Sequence, residues 1–539
     1  MTVFAAGVLH LLWFRFLADS GGDLAAHDAW AGFADRHPDS AYTFAWYGGM
    51  HPMSYSVISP YLMAAVGVRT TVMVSGTLSA GLVAFILVRC GWVHRPLVPA
   101  LWGAVALVGN AASGRATFAV GLLFGLGAVA LVYCPRHCAG RADSRWRWAW
   151  RFQLPAVMLL STLATLGSPV AGLFLAVVGG ALILQARYAT GLALLLPLPG
   201  VVSLSVWLFP FSGVQPLALT TAIVPLLFTV AVACTALPQW RTVRLGAVVY
   251  GLGTVATWLV PSPVGSNVER LALLFGGIVL LAAAPHHRGG GRVWRRPRAL
   301  VVWLALAGAV AWTLNKTVSD IVLTVPDSAW TRGLSPLVEQ LERRDAEGGR
   351  VEVVPTRSHR EASALVPYVN LARGWNRQAD TERHGLFYDG TLTAENYRTW
   401  LDRWAVRYVV LPRGDRPDIG AKEEADLVAS GLPYLTEVWS DANWRLFRVS
   451  GPKPLADSPA TAVRADESEV VVSVKSAGPV LVRIAWSPWL AVVDADGKRV
   501  DTGNGCLTGT GEWTILKAPR PGEYRIAAPY GLRRGTSCP

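Results

Sequence analysis

Asp19, Asp23, His27 and Asp28 form the densest cluster of reactive side chains in the sequence. Carboxylates and an imidazole can take a proton from a hydroxyl, hold a cation or pair with an arginine. A spacing of four puts Asp23 and His27 on one helical face. Asp23 and Asp28 diverge, so the first two are the better local pair. Trp46, Tyr47, His51 and Tyr55 follow, and no other long segment between apolar runs has this make-up. A plainer reading stands beside this one. Asp23 comes just after Gly21-Gly22, where it could cap a helix over residues 24–36. The aromatic residues could belong to a membrane-interface belt.

The surroundings of residues 19–69 are apolar. A chain of 539 residues that is 52% hydrophobic exceeds what one soluble core needs and reads as a polytopic α-helical membrane protein. A first apolar run covers residues 3–17. Ten more cover 70–88, 96–108, 116–133, 152–166, 170–186, 189–208, 217–236, 245–260, 271–284 and 299–315. Arg89 with Arg95, the run 136–151, Arg187, Arg241 with Arg244, and the run 288–298 fall at every second connection. That alternation explains the net charge of +13 as an orientation signal rather than a nucleic-acid footprint. It predicts about eleven spans, an inside N-terminus, and both residues 19–69 and everything after 315 outside.

Residues 53–68 are apolar enough to suggest a twelfth span, but a crossing there would reverse every later loop. They are expected to form a helix at the interface. The same is expected of residues 24–36, where Trp30, Phe33 and Ala34 share one side. The first run is short and interrupted by His10 and Arg15. It does not read as a signal peptide, and it suggests that the chain as given starts inside its first helix.

The polar remainder reads as two parts. Residues 316–451 combine strands at 351–355 and 406–412 with helices at 396–404 and 422–430 and a β-rich 434–449, which indicates an α/β domain. Residues 460–539 read as a succession of short strands, a β-sandwich-like domain. The proline-bounded stretch 452–459 reads as a linker. Of the six cysteines, Cys506 and Cys538 share the polar region and are the disulfide candidates. No metal constellation is convincing. His286-His287 adjoin a basic loop, Cys134 and Cys138 lack partners at suitable spacing, and residues 23–28 would need ligands from elsewhere. No glycine-rich phosphate loop is present, which speaks against an ATP-driven function.

The layout resembles the membrane glycosyltransferases of the GT-C fold, which have an acidic loop after the first span, many spans and a C-terminal domain outside the membrane. WAVRYVVLP at 404–412, ANWRLFRV at 442–449 and IAWSPWLAVVDADG at 484–497 look like the C-terminal domains of bacterial members, and the composition looks actinobacterial. The resemblance implies a polyprenyl-phosphate sugar as donor, a cell-envelope glycan, lipid or protein as acceptor, and the bilayer as surroundings, without a cofactor. It implies Asp23 as general base, with Asp28 second and His27 beside them. Arg115 and Arg270, at outward helix ends, could grip the donor phosphate with paired N–H groups, helped by Asn267 and Glu269. Trp46, Tyr47, His51 and Tyr55 would make a sugar-stacking wall. The competing classes are a secondary transporter and a non-catalytic envelope-assembly protein. The absence of a sequence repeat and the large polar C-terminal part favour the transferase.

Overall fold

The computed structural model describes residues 1–133, 147–287 and 295–538. Cys134, Cys138, Gly289–Gly291 and most of the two long basic runs lie outside the described residues, as do the side chains of His286 and His287. The chain forms two compact units. The first is Met1–Leu24, Tyr55–Leu208 and Val214–Val322, and the second is Ala25–Ser54, Phe209–Gly213 and Leu323–Pro539.

The first unit is helical. Its elements are α1 (Thr2–Phe16), the start of α2 (Gly22–Arg36), α3 (Ser59–Val66), α4 (Val68–Arg89), α5 (Leu97–Ala112) and α6 (Ala116–Tyr133). Then come α7 (Arg147–Gly167), α8 (Pro169–Ile183), α9 (Tyr188–Leu195), α10 (Pro197–Leu208), α11 (Leu219–Thr235) and α12 (Arg241–Leu259). The short α13 (Glu269–Leu271) passes through a π turn at Ala272–Gly276 into α14 (Gly277–His287), and α15 (Arg295–Leu323) closes the unit. Among the described residues, 6 helical stretches are long and apolar enough to cross a membrane. Shorter apolar helices are Thr2–Phe16, Leu97–Ala112, Phe152–Gly167, Pro169–Ile183 and Leu219–Thr235. Small residues let these helices approach closely. In one core cluster, Ala6, Ala80, Ala104 and Ala171 are buried beside Phe118, Phe174 and Ile278.

The structure bears on two expectations here. Residues 53–68 contain α3, whose 8 residues rise only about 12 Å, too little to cross a bilayer. The segment is tied to the end of α7, where the amide of Val57 and the hydroxyl of Ser56 donate to the Leu166 carbonyl and Ser59 donates to that of Gly167. The last helix does not stop at residue 315 but continues to Leu323, so the division at 315/316 falls inside an element.

The second unit is built on sheets. Its first has the order β1-β2-β4-β3, from β1 (Arg350–Val353), β2 (Val406–Pro412), β3 (Leu435–Ser440) and β4 (Trp444–Val449). Strands β1 and β2 run parallel, with Val351 opposite Tyr408. The crossover between them includes the helix Ala394–Arg403, which starts at a Thr393/Asn396 capping box and buries Tyr397, Trp400 and Leu401. Two further sheets, β7-β10-β9 and β5-β6-β11-β8, use β5 (Ala460–Ala465), β6 (Glu469–Val474), β7 (Gly478–Ala485), β8 (Ala491–Val493), β9 (Cys506–Thr510), β10 (Trp513–Ala518) and β11 (Gly522–Ala527). A disulfide joins Cys506 to Cys538. Residues 452–459 are not a free linker. Leu455 and Asp457 hydrogen-bond along β7, and Asp457 pairs with Arg483.

The helix α2 departs from the expected membrane-lying helix. From Ala25 onward it counts with the second unit, and Ala25, Ala26, Ala29, Trp30, Phe33 and Ala34 are all buried. Its charges are met within that unit, Asp28 by Arg360 at 2.7 Å and Arg36 by Glu467 at 2.6 Å.

A buried charge cluster sits in the same unit. Arg373 contacts Asp380 at 2.8 Å, Glu424 at 2.9 Å and Glu352 at 4.0 Å. One guanidinium cannot neutralise three buried carboxylates, and burial raises the pKa of Glu352 well above the ordinary glutamate range. As a carboxylate Glu352 would have no donor. The neighbouring Glu424 carboxylate adds to the effect of burial in favouring the protonated form. A carboxyl pKa raised by folding gives stability that is present at low pH and lost as the pH climbs from the unfolded value towards the folded one. Thermal unfolding of the full chain in detergent should therefore fall with rising pH above about 4.5. Glu352→Gln should flatten that dependence, and an unchanged slope in that variant would refute the assignment.

Candidate functional site

The first turn of α2 and the turn between α5 and α6 are pressed together by glycines. A Cβ on Gly21, at φ +109°, would lie 2.8 Å from the Ala112 carbonyl oxygen and the Gly114 amide nitrogen. A Cβ on Gly114, at φ +74°, would lie 2.6 Å from the amide nitrogen of Leu24. Both positions need glycine twice over, for the left-handed backbone and for the approach. The Leu24 amide donates to Gly21, so Asp23 sits inside the first helical turn. It is not the cap residue that its position after Gly21-Gly22 suggested. A carboxylate in that place still favours the positive end of the helix.

The interlock sets Asp23 near Arg270, on which the charge of Arg115 also acts. Arg270, in α13, points a nitrogen at an Asp23 oxygen 3.7 Å away, and its guanidinium lies over the Phe118 ring at 5.3 Å. Arg270 is 8% exposed and Arg115, which opens α6, is also 8% exposed. Arg115, Tyr55 and Glu269 are among the groups whose fields act on Arg270. The site thus gathers a half-exposed carboxylate, two guanidinium groups and a phenol, all from the first unit. Two cations beside one carboxylate can hold an anion of higher charge, and the fork geometry of arginine suits phosphate oxygens.

Its rim is organised by the added turns of α15. Lys316 pairs with Glu269 at 3.3 Å, Asp320 accepts a hydrogen bond from Ser113, and Thr317 packs against Gly109. Glu269 is therefore matched to Lys316, which removes it from the expected phosphate binders. Asn267 donates to Gln215 at 3.4 Å in a loop where Gly265 packs against Gln215, and its evident role is to hold that loop. Sequence reasoning missed Ser113, Lys316 and Asp320. The polar residues of α15 beyond 315 were the available signal.

The other expected residues lie elsewhere. Asp28 is engaged by Arg360 in the second unit, so the second candidate base is an ion-pair partner. His27 is buried with its ring edge on Trp30, the centroids 5.7 Å apart. The expected stacking wall is largely interior. Trp46, Tyr47 and His51 are 1%, 0% and 3% exposed. Trp46 donates to the Ala362 carbonyl, and Tyr47 lies against Asn376. His51 is fixed between the Ala41 carbonyl and the Ser487 hydroxyl, and burial lowers its pKa to about 4. Such a histidine stays neutral near pH 7 and is no proton donor. Only Tyr55 stands with the Asp23 group. Among the described residues no group of three or more His, Cys, Asp or Glu could hold a metal ion.

Residues 457–539, which hold β5 to β11, match the model of a family described as "Domain of unknown function (DUF8823)". No curated protein matches the chain.

The glycine interlock is directly testable. Gly114→Ala should cost about 1–3 kcal/mol, from the positive φ and the clash together. Gly253→Ala, on α12 with no atom within 4 Å, should be neutral or slightly stabilising. Thermal unfolding of the full chain in detergent measures both, and equal losses would refute the interlock.

Proposed function

We propose that this chain is a membrane glycosyltransferase of the GT-C type that uses a polyprenyl-phosphate sugar as donor. The observation that carries the reading is Arg270, which meets Asp23 and lies within the field of Arg115. In the proposed reaction Asp23 takes the proton of an acceptor hydroxyl as its oxygen bonds to the anomeric carbon. The bond from that carbon to the phosphate oxygen breaks, and the polyprenyl phosphate leaves with the electron pair. A phosphate is a good leaving group without a general acid, so the requirements are a base and cations. Charge building in an oxocarbenium-like transition state also favours a nearby carboxylate.

Donor binding exchanges partners. The phosphate replaces Asp23 on Arg270 and releases the carboxylate for proton transfer. Two further features support the reading. The disulfide between Cys506 and Cys538 fits an oxidising, extracytoplasmic site for the C-terminal sheets. The 6 long apolar helices, taken with the five shorter ones, fit eleven spans and the loop-charge alternation.

Asp23→Asn should lower transfer from a polyprenyl-phosphate sugar about 10²–10⁴-fold, with donor binding retained. Undiminished transfer by the folded variant would remove Asp23 as base. A wild-type protein inactive with every lipid-linked sugar, but moving a solute across proteoliposomes, would replace the transferase reading with a transporter.

A further inference from the structure

The first unit holds a cavity of about 590 Å³ between α4, α6, α8, α11, α12 and α14. Its walls are apolar, with Leu126, Phe174 and Ile278 among them. Neither Asp23, Arg115 nor Arg270 lines it, and no described acidic residue does. Its cations are Arg89 and Arg187, accompanied by Gln185 and Thr242. These four share one place in the topology. Arg89 ends α4, Gln185 and Arg187 follow α8, and Thr242 opens α12. The cavity therefore has one polar, cationic end and an apolar remainder.

Its depth is informative. Leu122 and Tyr133 both line it from α6, a rise of about 16 Å along the helix, close to half of a hydrocarbon core about 30 Å thick. That is the reach of one leaflet's acyl chain, and the two arginines lie where its headgroup would be. Arg89 rests over Phe85 and Arg187 over Tyr133, with Trp92 and Trp240 also at the lining, as suits a headgroup boundary. A basic pocket between apolar helices selects anionic headgroups.

We propose that this cavity is a site for an anionic phospholipid, its acyl chain among α6, α8 and α14 and its phosphate on Arg89 and Arg187. This ligand is distinct from the sugar donor and binds at a different set of cations.

The test uses the full chain in detergent, titrated with phosphatidylglycerol or phosphatidylcholine and read by native mass spectrometry. Phosphatidylglycerol should be retained at least 10-fold better, which is about 1.4 kcal/mol. The double variant Arg89→Gln/Arg187→Gln should lose that preference, and the double Arg→Lys variant should recover part of it. Gly246→Phe should weaken both lipids, because Gly246 lines the cavity and its nearest neighbour to a new Cβ is Ala181 at 3.9 Å. Thermal unfolding checks that each variant is folded. Equal binding of the two lipids, or a preference that survives the double Gln variant, overturns the proposal. A phosphatidylglycerol preference that is lost in Arg270→Gln overturns it as well.

Discussion

A guanidinium keeps its proton at any physiological pH, so an arginine buried at the head of an apolar helix must be given an anion. Arg270 is that residue, and Asp23 is the carboxylate given to it. The local structure follows from this requirement. Glycines at 21 and 114 bring the first turn of α2 against the turn before α6, and a Cβ at either place would press on backbone atoms. Lys316 pairs with Glu269, which adds its field at Arg270 after that of Asp23. A pair made this way is replaceable. Another anion with better geometry for both arginines could displace the carboxylate, and the account of function rests on that exchange.

The second unit meets a related problem by another route. Arg373 lies among three buried carboxylates, and the surplus negative charge is relieved by a Glu352 pKa raised well above its ordinary value. Nothing there is half-exposed, so the cluster is structural. The contrast separates the two groups: one acid is kept neutral and inaccessible, while Asp23 is 39% exposed beside its cation.

Much of this was legible in the sequence. Apolar runs predicted most first-unit helices closely, with α6 at residues 116–133 as read, because the membrane enforces length and composition together. The helices read at 396–404 and 422–430 lie at 394–403 and 422–429, and the disulfide was read from two cysteines in one polar region. Asp23, Arg115 and Arg270 were each named from their types and their places at helix ends. Their meeting was not legible, because it depends on two glycine contacts far apart in sequence. The aromatic cluster misled for a physical reason. Trp46, Tyr47 and His51 have the composition of a sugar platform, but burial decides whether a ring stacks on a ligand or on its neighbours, and composition does not encode it. Strands β5 and β9 are poorly legible in the sequence because ATAVRA and CLTGT lack clean apolar alternation. The polar turns of α15 looked like the start of a soluble region, whereas they continue a helix that packs on the site.

The exchange at Arg270 is best tested by measuring the affinity of the folded full chain for a sugar-free polyprenyl phosphate, in the wild type and in Asp23→Asn and Arg270→Gln. If the phosphate replaces Asp23, Arg270→Gln weakens binding at least 10-fold, about 1.4 kcal/mol, while Asp23→Asn binds as tightly as the wild type or more tightly. Equal weakening by both variants, or unimpaired binding by Arg270→Gln, would contradict the account.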